Sequence, residues 1–191
     1  MPVLPKIEGL DQHQVASLAY CRTYKQYLAM IEGYNTGKCP FCDPLDPEKN
    51  RIIQAAEGWR MWVNPFALAH TELHLVMAPM RHVAPGDRII PQDFSAMGAL
   101  FHWAQLEFGF TGGGFAMRFG SPLQSSGTVL HLHANIIIPD QSGSVEVTLA
   151  KDPAKIAHQV ARMFVFEKLR TGTVSHDSLS PDEQKLVDGC L

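Results

Sequence analysis

His131, His133 and Asn135 stand two residues apart within Leu130-His-Leu-His-Ala-Asn-Ile-Ile-Ile138, an apolar and β-branched run. Such a run reads as a buried strand. The period-two alternation of a strand puts the three polar side chains on one face, neighbours roughly 6.5–7 Å apart. Polar groups in a buried strand are costly unless partnered, so the row needs a reason. Two imidazoles and an amide can bind an anion, ligate a metal, or attack an electrophile such as phosphorus. Hydrogen-bonded core histidines are the plainer alternative. Just upstream, Ser125-Ser126-Gly127-Thr128 offers hydroxyls and backbone amides that can wrap an anion.

Two further segments carry metal-ligand or catalytic residue types. Cys39-Pro-Phe-Cys42 has the spacing of a zinc knuckle. Its two thiolates would fill half of a tetrahedron, and histidine is the usual source of the rest. A redox pair or a solvent-facing loop are the competing readings. The second segment runs from Asn64-Pro-Phe66 through His74 to His82. His74 sits inside a strand pattern, where packing is the ordinary role. His82 follows the strand, in loop territory where ligands commonly sit.

The elements that must position these residues are legible from periodicity. Residues 15–31 read as an amphipathic helix and residues 44–50 as a polar connector. Strands are expected at 51–56, 59–64, 72–78, 115–119 and 130–138, with a helix over 91–108. Residues 120–127 read as a Gly/Ser/Pro-rich loop, and 144–150 alternate like an outer strand. A helix from Asp152-Pro153 to about Leu169 and a short one beginning near Ser180 complete the chain. Consecutive strands joined by short turns point to a mainly antiparallel α+β domain. At 191 residues the chain fits one domain with appendages. Hydrophobic residues at 46%, charged residues at 18% and a net charge of −3 argue against bulk binding to nucleic acid. No apolar run approaches a membrane span and no signal-peptide core is evident, so cytoplasmic location without a membrane role is the expectation.

In this order, the three segments resemble the histidine triad (HIT) superfamily, whose usual strand reads His-x-His-x-His followed by apolar residues and Pro. The likeness covers about residues 35–140, and the Cys-x-x-Cys loop is similar to that of its zinc-carrying branch. Met117-Arg-Phe-Gly120 followed by Ser-Ser-Gly-Thr resembles a group of bacterial members. The resemblance implies a HIT-like fold: a five-stranded, mainly antiparallel sheet with flanking helices. It divides the chain into an N-terminal helical extension (1–34), a HIT-like domain (35–150) and a C-terminal helical extension (151–191). It also implies a homodimer.

The resemblance assigns roles too. His133 matches the nucleophile that forms a covalent nucleotidyl-histidine at an α-phosphorus. His131, with Cys39, Cys42 and His82, looks like the ligand set of one structural zinc per chain. Asn64 matches a ribose contact, Trp62 and Phe66 border the base, and His74 resembles the histidine that supports the catalytic strand. Ser126 and Thr128 match phosphate-facing positions. Two positions depart from the pattern. Asn135 replaces the third histidine with a neutral amide that carries no proton or charge. Uridylyltransferase and phosphorylase branches use the longer Gln there, which favours transfer over plain hydrolysis. Arg118 stands where many members have Asn or Gln, and its guanidinium suits a phosphate, with a surface salt bridge as the alternative. The expected function is a hydrolase or transferase acting on nucleotides with a substituted phosphate, such as dinucleoside polyphosphates or nucleoside phosphoramidates. A nucleotide sensor without useful catalysis, or a zinc-stabilised interaction protein, are the rivals.

Overall fold

The computed structural model describes residues 15–42, 51–125, 127–149 and 153–191. Helix α1 (Tyr24–Thr36) precedes strands β1 (Gln54–Ala56), β2 (Trp59–Val63) and β3 (Thr71–Pro79). Helix α2 (Pro91–Phe108), strand β4 (Gly114–Arg118), the short α3 (Pro122–Ser125) and strand β5 (His133–Pro139) follow. Helices α4 (Pro153–Arg170) and α5 (Pro181–Val187) end the chain. The strands form one antiparallel sheet in the order β1-β2-β3-β5-β4, which is the expected α+β architecture. Among the described residues, no helix is long and apolar enough to cross a membrane.

Alternation gives the sheet two chemically different faces. Ala134 and Ile136 of β5 pack with Leu75, Met77 and Met61 against the apolar side of α2, where Ala96, Met97, Leu100 and Ala104 are buried. The opposite face carries His133 and Asn135. Arg118 of β4 is the cross-strand partner of His133, and Ala116 and Val76 flank Asn135. Cross-strand partners share a face at about 5 Å between Cβ atoms, so the polar row belongs to the whole sheet. Between β1 and β2, Glu57 and Gly58 both take positive φ, the conformation that a two-residue hairpin matched to strand twist demands.

A second apolar core backs the polar face. Residues 15–31 supply Leu18, Ala19, Tyr27 and Ile31 to it, and α4 and α5 supply Met163, Phe166 and Val187. Tyr27 donates its hydroxyl to Glu167 at 2.6 Å, and Lys168 pairs with Glu183 at 2.7 Å. The start of α5 is capped by Ser180 and Glu183 acting reciprocally.

Three expected elements come out differently. The helix expected over 15–31 begins only at Tyr24, because residues 15–17 are drawn into tertiary pairing. Ser17 N–H donates to Thr128 O at 2.7 Å and Leu130 N–H to Val15 O at 2.9 Å. Thr23 then caps the helix by accepting from Gln26 N–H. The strand expected from Leu130 starts at His133, since the Leu132 amide is taken by Val83 O. His131 therefore lies just outside β5. Residues 144–149 form no strand and pair with neither edge of the sheet, β1 or β4. The loop expected at 120–127 contains the short α3. Ser126, the connector at 44–50 and the start of the 151–191 extension lie outside the described residues.

Asp93 joins α2 to the sheet. It is 2% exposed and accepts from Trp59 Nε1 (3.0 Å), Ile90 N–H (3.0 Å) and Arg81 Nη2 (2.7 Å). Removing one partner of a buried charged network strands the others. Asp93→Ala is expected to lower stability by about 3 kcal/mol, read from the urea midpoint, whereas a change below half that figure contradicts the assignment.

Candidate active site

A cavity of about 620 Å³ lies between the polar face of the sheet and the N-terminal segment. This is an ordinary size for a small-molecule site. The sheet contributes Trp62, His74, Val76, Arg118, His133 and Asn135, while Arg22, Gln26 and Met30 close it from the other side. Asn64, Phe66 and Thr128 also line it, and Glu146, Val147 and Thr148, in the segment expected to be a strand, run along it.

Backbone groups fix where the proton sits on each buried imidazole. His133 Nδ1 lies 2.8 Å from His131 O. A carbonyl can only accept, so Nδ1 carries the proton and Nε2 keeps its lone pair. For His131 the carbonyl of Pro79 lies 3.0 Å from Nε2, so the proton is there and Nδ1 is bare. The two neighbouring histidines are thus held in opposite tautomers. His74 Nδ1 accepts from Leu68 N–H at 3.2 Å, which leaves Nε2–H to donate to Asn135 Oδ1 at 3.0 Å. Burial holds all three imidazoles below their ordinary value, His131 and His133 down to about 4, and the Arg118 charge acts in the same sense on His133 and His74. They are neutral at physiological pH.

Asn135 is committed at both ends. Besides accepting from His74, its Nδ2 donates to Ala116 O at 3.4 Å. The Thr128 hydroxyl donates to Tyr20 O at 3.0 Å, so its lone pairs rather than its proton remain for the cavity. Asn64 accepts from Phe66 N–H at 2.9 Å and sets its amide nitrogen beside the His74 ring.

The bare Nδ1 of His131 faces sulfur: it is 3.4 Å from both Cys39 Sγ and Cys42 Sγ. Cys42 Sγ lies 3.2 Å from His82 Nδ1, and all four ligand atoms fall within 4.8 Å of one another. Metal–ligand lengths of a tetrahedral zinc place sulfur and nitrogen about 3.6 Å apart. The donor set fits such a cation, and the carbonyl behind His131 is the usual outer support for a metal-bound imidazole. Burial pushes the Cys39 thiol up to about 12, a cost that a bound cation would reverse. Gly33 of α1 lets this loop dock, since a Cβ there would stand 2.7 Å from Lys38 O.

Two residues at the site gave no signal in the sequence. Phe41, between the two cysteines, sets its ring edge-on against Trp62 (centroids 5.0 Å), His133 (5.3 Å) and His131 (5.9 Å). It joins the cysteine loop to the cavity. Arg22, just before α1, donates through Nη2 to Phe66 O and lines the same cavity as Arg118. Phe41 lies inside the Cys39–Cys42 motif without being one of its ligand types, Arg22 lies in no local motif, and only the fold brings them to the histidines.

No family model matches the chain, and no curated protein matches it. Solved structures with a similar course of chain include a diadenosine triphosphate hydrolase of Plasmodium falciparum. It is 13% identical, with 69% of this chain and 82% of that one covered and a TM-score of 0.41. A hypothetical histidine triad nucleotide-binding protein of Sulfolobus tokodaii is 13% identical, covering 72% and 98%, with a TM-score of 0.43. A zinc-bound histidine triad family protein of Mycobacterium smegmatis is 16% identical, covering 76% and 95%, with a TM-score of 0.39. Function has to be read from the site itself.

The buried neutral histidines make stability depend on pH. In the unfolded chain these rings take up protons below the ordinary value of 6.5, whereas folded His133 refuses them down to about 4 and folded His74 is shifted in the same direction. The unfolded state therefore binds more protons in that window, so stability is full above pH 6.5 and falls as pH drops towards 4. Urea midpoints at pH 7, 6 and 5 should decline in that order, less steeply in His74→Gln. An identical slope in that variant would remove His74 from the account.

Proposed function

We propose that the chain is a zinc-carrying member of the histidine triad superfamily and a nucleotidyl hydrolase or transferase. The observation that carries the proposal is the His133 proton held on Nδ1 by the His131 carbonyl, which leaves a neutral Nε2 nucleophile in the wall of a ligand-sized cavity. The Nε2 lone pair forms an N–P bond to the α-phosphorus as the bond to the leaving group breaks, and the leaving group takes a proton from water. Water, phosphate or another acceptor then attacks phosphorus, releasing its proton to the hydroxide left in solvent, as the N–P bond breaks and Nε2 recovers its lone pair. Arg118, opposite His133, is placed to balance the phosphate charge. Trp62 and Phe66 supply an apolar wall for a base and Asn64 a polar group for the ribose. Dinucleoside polyphosphates and nucleoside phosphoramidates are the substrate classes of this reading.

Zinc bound by Cys39, Cys42, His82 and His131 would have no open position and would serve to brace the loop that carries Phe41. A homodimer and a cytoplasmic location complete the proposal. β4 is an edge strand with Phe115 and Phe119 exposed, which suits pairing with a second copy. The domain at 35–150 would carry the chemistry, with the N-terminal extension completing the cavity wall and the C-terminal one packing behind it.

The commitment of Asn135 to His74 and Ala116 favours a second reading: a nucleotide-binding module that senses rather than turns over. Incubation with a nucleotide panel followed by intact-mass spectrometry separates the two. A mass increase of one nucleotidyl group in the wild type, lost in His133→Ala together with turnover, is expected. Binding without adduct or product selects the sensor. Native mass spectrometry of protein purified without added metal should give a dimer with one zinc per chain. Loss of the zinc in the Cys39→Ser/Cys42→Ser double variant is expected, and a metal-free wild type overturns the ligand assignment.

A further inference from the structure

The charges around the cavity are sorted by depth. Lys25, Glu32 and Glu146 line it from exposed positions, a mixed rim of both signs. Arg22 and Arg118 line it from half-buried positions beside the histidines. Arg118 comes from the sheet as the cross-strand partner of His133. Arg22 comes from the opposite wall, aimed by its bond to Phe66 O and by Gln26, whose Oε1 accepts from the Arg22 backbone N–H at 2.8 Å. Both guanidinium groups line the same cavity: burial and the Arg118 charge lower Arg22, and the charges of Arg22 and Arg118 both act on His74. Guanidinium forks brought to one cavity from facing walls offer convergent donors to an anion bound between them. Asn135, at the position nearest the nucleophile on its own strand, supplies no charge.

We propose that Arg22 and Arg118 form a two-guanidinium oxyanion site in the cavity wall beside His133, selecting ligands that carry a multiply charged phosphate group. The inference rests on the proposed nucleotidyl chemistry and adds the specificity that Asn135 cannot provide. Forked guanidinium donors from opposite walls grip adjacent phosphate oxygens in a way that one lysine or one amide cannot. Arg22 is a specificity residue from outside the segment whose motifs suggest the chemistry.

Titration calorimetry with inorganic pyrophosphate at about 50 and 200 mM salt tests the site. The wild type should bind one pyrophosphate per chain, more weakly at the higher salt. Arg22→Gln and Arg118→Gln should each weaken binding about tenfold or more and flatten its salt dependence, while the rim variant Lys25→Gln stays near wild type. A merely structural role for Arg22 would not change the salt dependence. No pyrophosphate binding by the wild type, wild-type affinity in a folded Arg22→Gln, or an equal loss in Lys25→Gln would each overturn the proposal. If the circular-dichroism spectrum shows that Arg22→Gln is misfolded, Arg22→Lys is read instead. It keeps the charge without the fork, so about fivefold loss is expected, and wild-type affinity overturns the site. An adduct on His133 with Arg22-independent pyrophosphate binding sinks this inference alone. Arg22-dependent binding with no adduct sinks the nucleotidyl chemistry alone.

Discussion

The placement of single protons by backbone carbonyls is the constraint on which the site depends. His131 and His133 are two residues apart and chemically identical, yet Pro79 O and His131 O hold them in opposite tautomers. One ring is left with a bare Nδ1 facing two sulfurs and the other with a bare Nε2. Exchanging either tautomer would offer a proton where a lone pair is needed. The sheet and the turn around Pro79 can therefore be seen as a frame whose carbonyls are aimed. The third ring, His74, is set by a donor instead, and passes its proton to Asn135.

Phe41 connects the two halves of this arrangement. It is fixed in sequence between two cysteines and in space against both histidines and Trp62. The donor set for a cation and the wall of the cavity thus share one ring, so the geometry of one is imposed on the other by packing rather than by charge. The same economy appears in Arg118, which strand register alone puts beside His133.

How much of this was legible in the sequence depended on the range of the interactions. α2 begins and ends at the expected residues, because its apolar stripe at Ala96, Leu100 and Ala104 faces the sheet directly. The four-residue metal set, named from spacing and resemblance, does converge in space. Residues 15–17 depart from the expected helix because Val15 and Ser17 bond to residues 128–130, more than a hundred positions away, and Leu18–Tyr20 form only a 3-10 turn before α1. Residues 144–149 alternate as a strand should, but they pair with neither edge of the sheet, and Glu146, Val147 and Thr148 line the cavity instead. Arg22 and Phe41 were silent for the same reason: their partners are distant in sequence.

The core behind the cavity is made from the two ends of the described chain. Leu18, Tyr27 and Ile31 meet Met163, Phe166 and Val187 there, whereas the core under α2 is drawn from residues 59–136. Closing the longer loop costs more chain entropy, which the buried apolar contacts between the two ends must offset. The far wall of the cavity, which carries Arg22, thus owes its position to how the two ends of the described chain pack on each other, while the wall that carries His133 owes its position to the sheet.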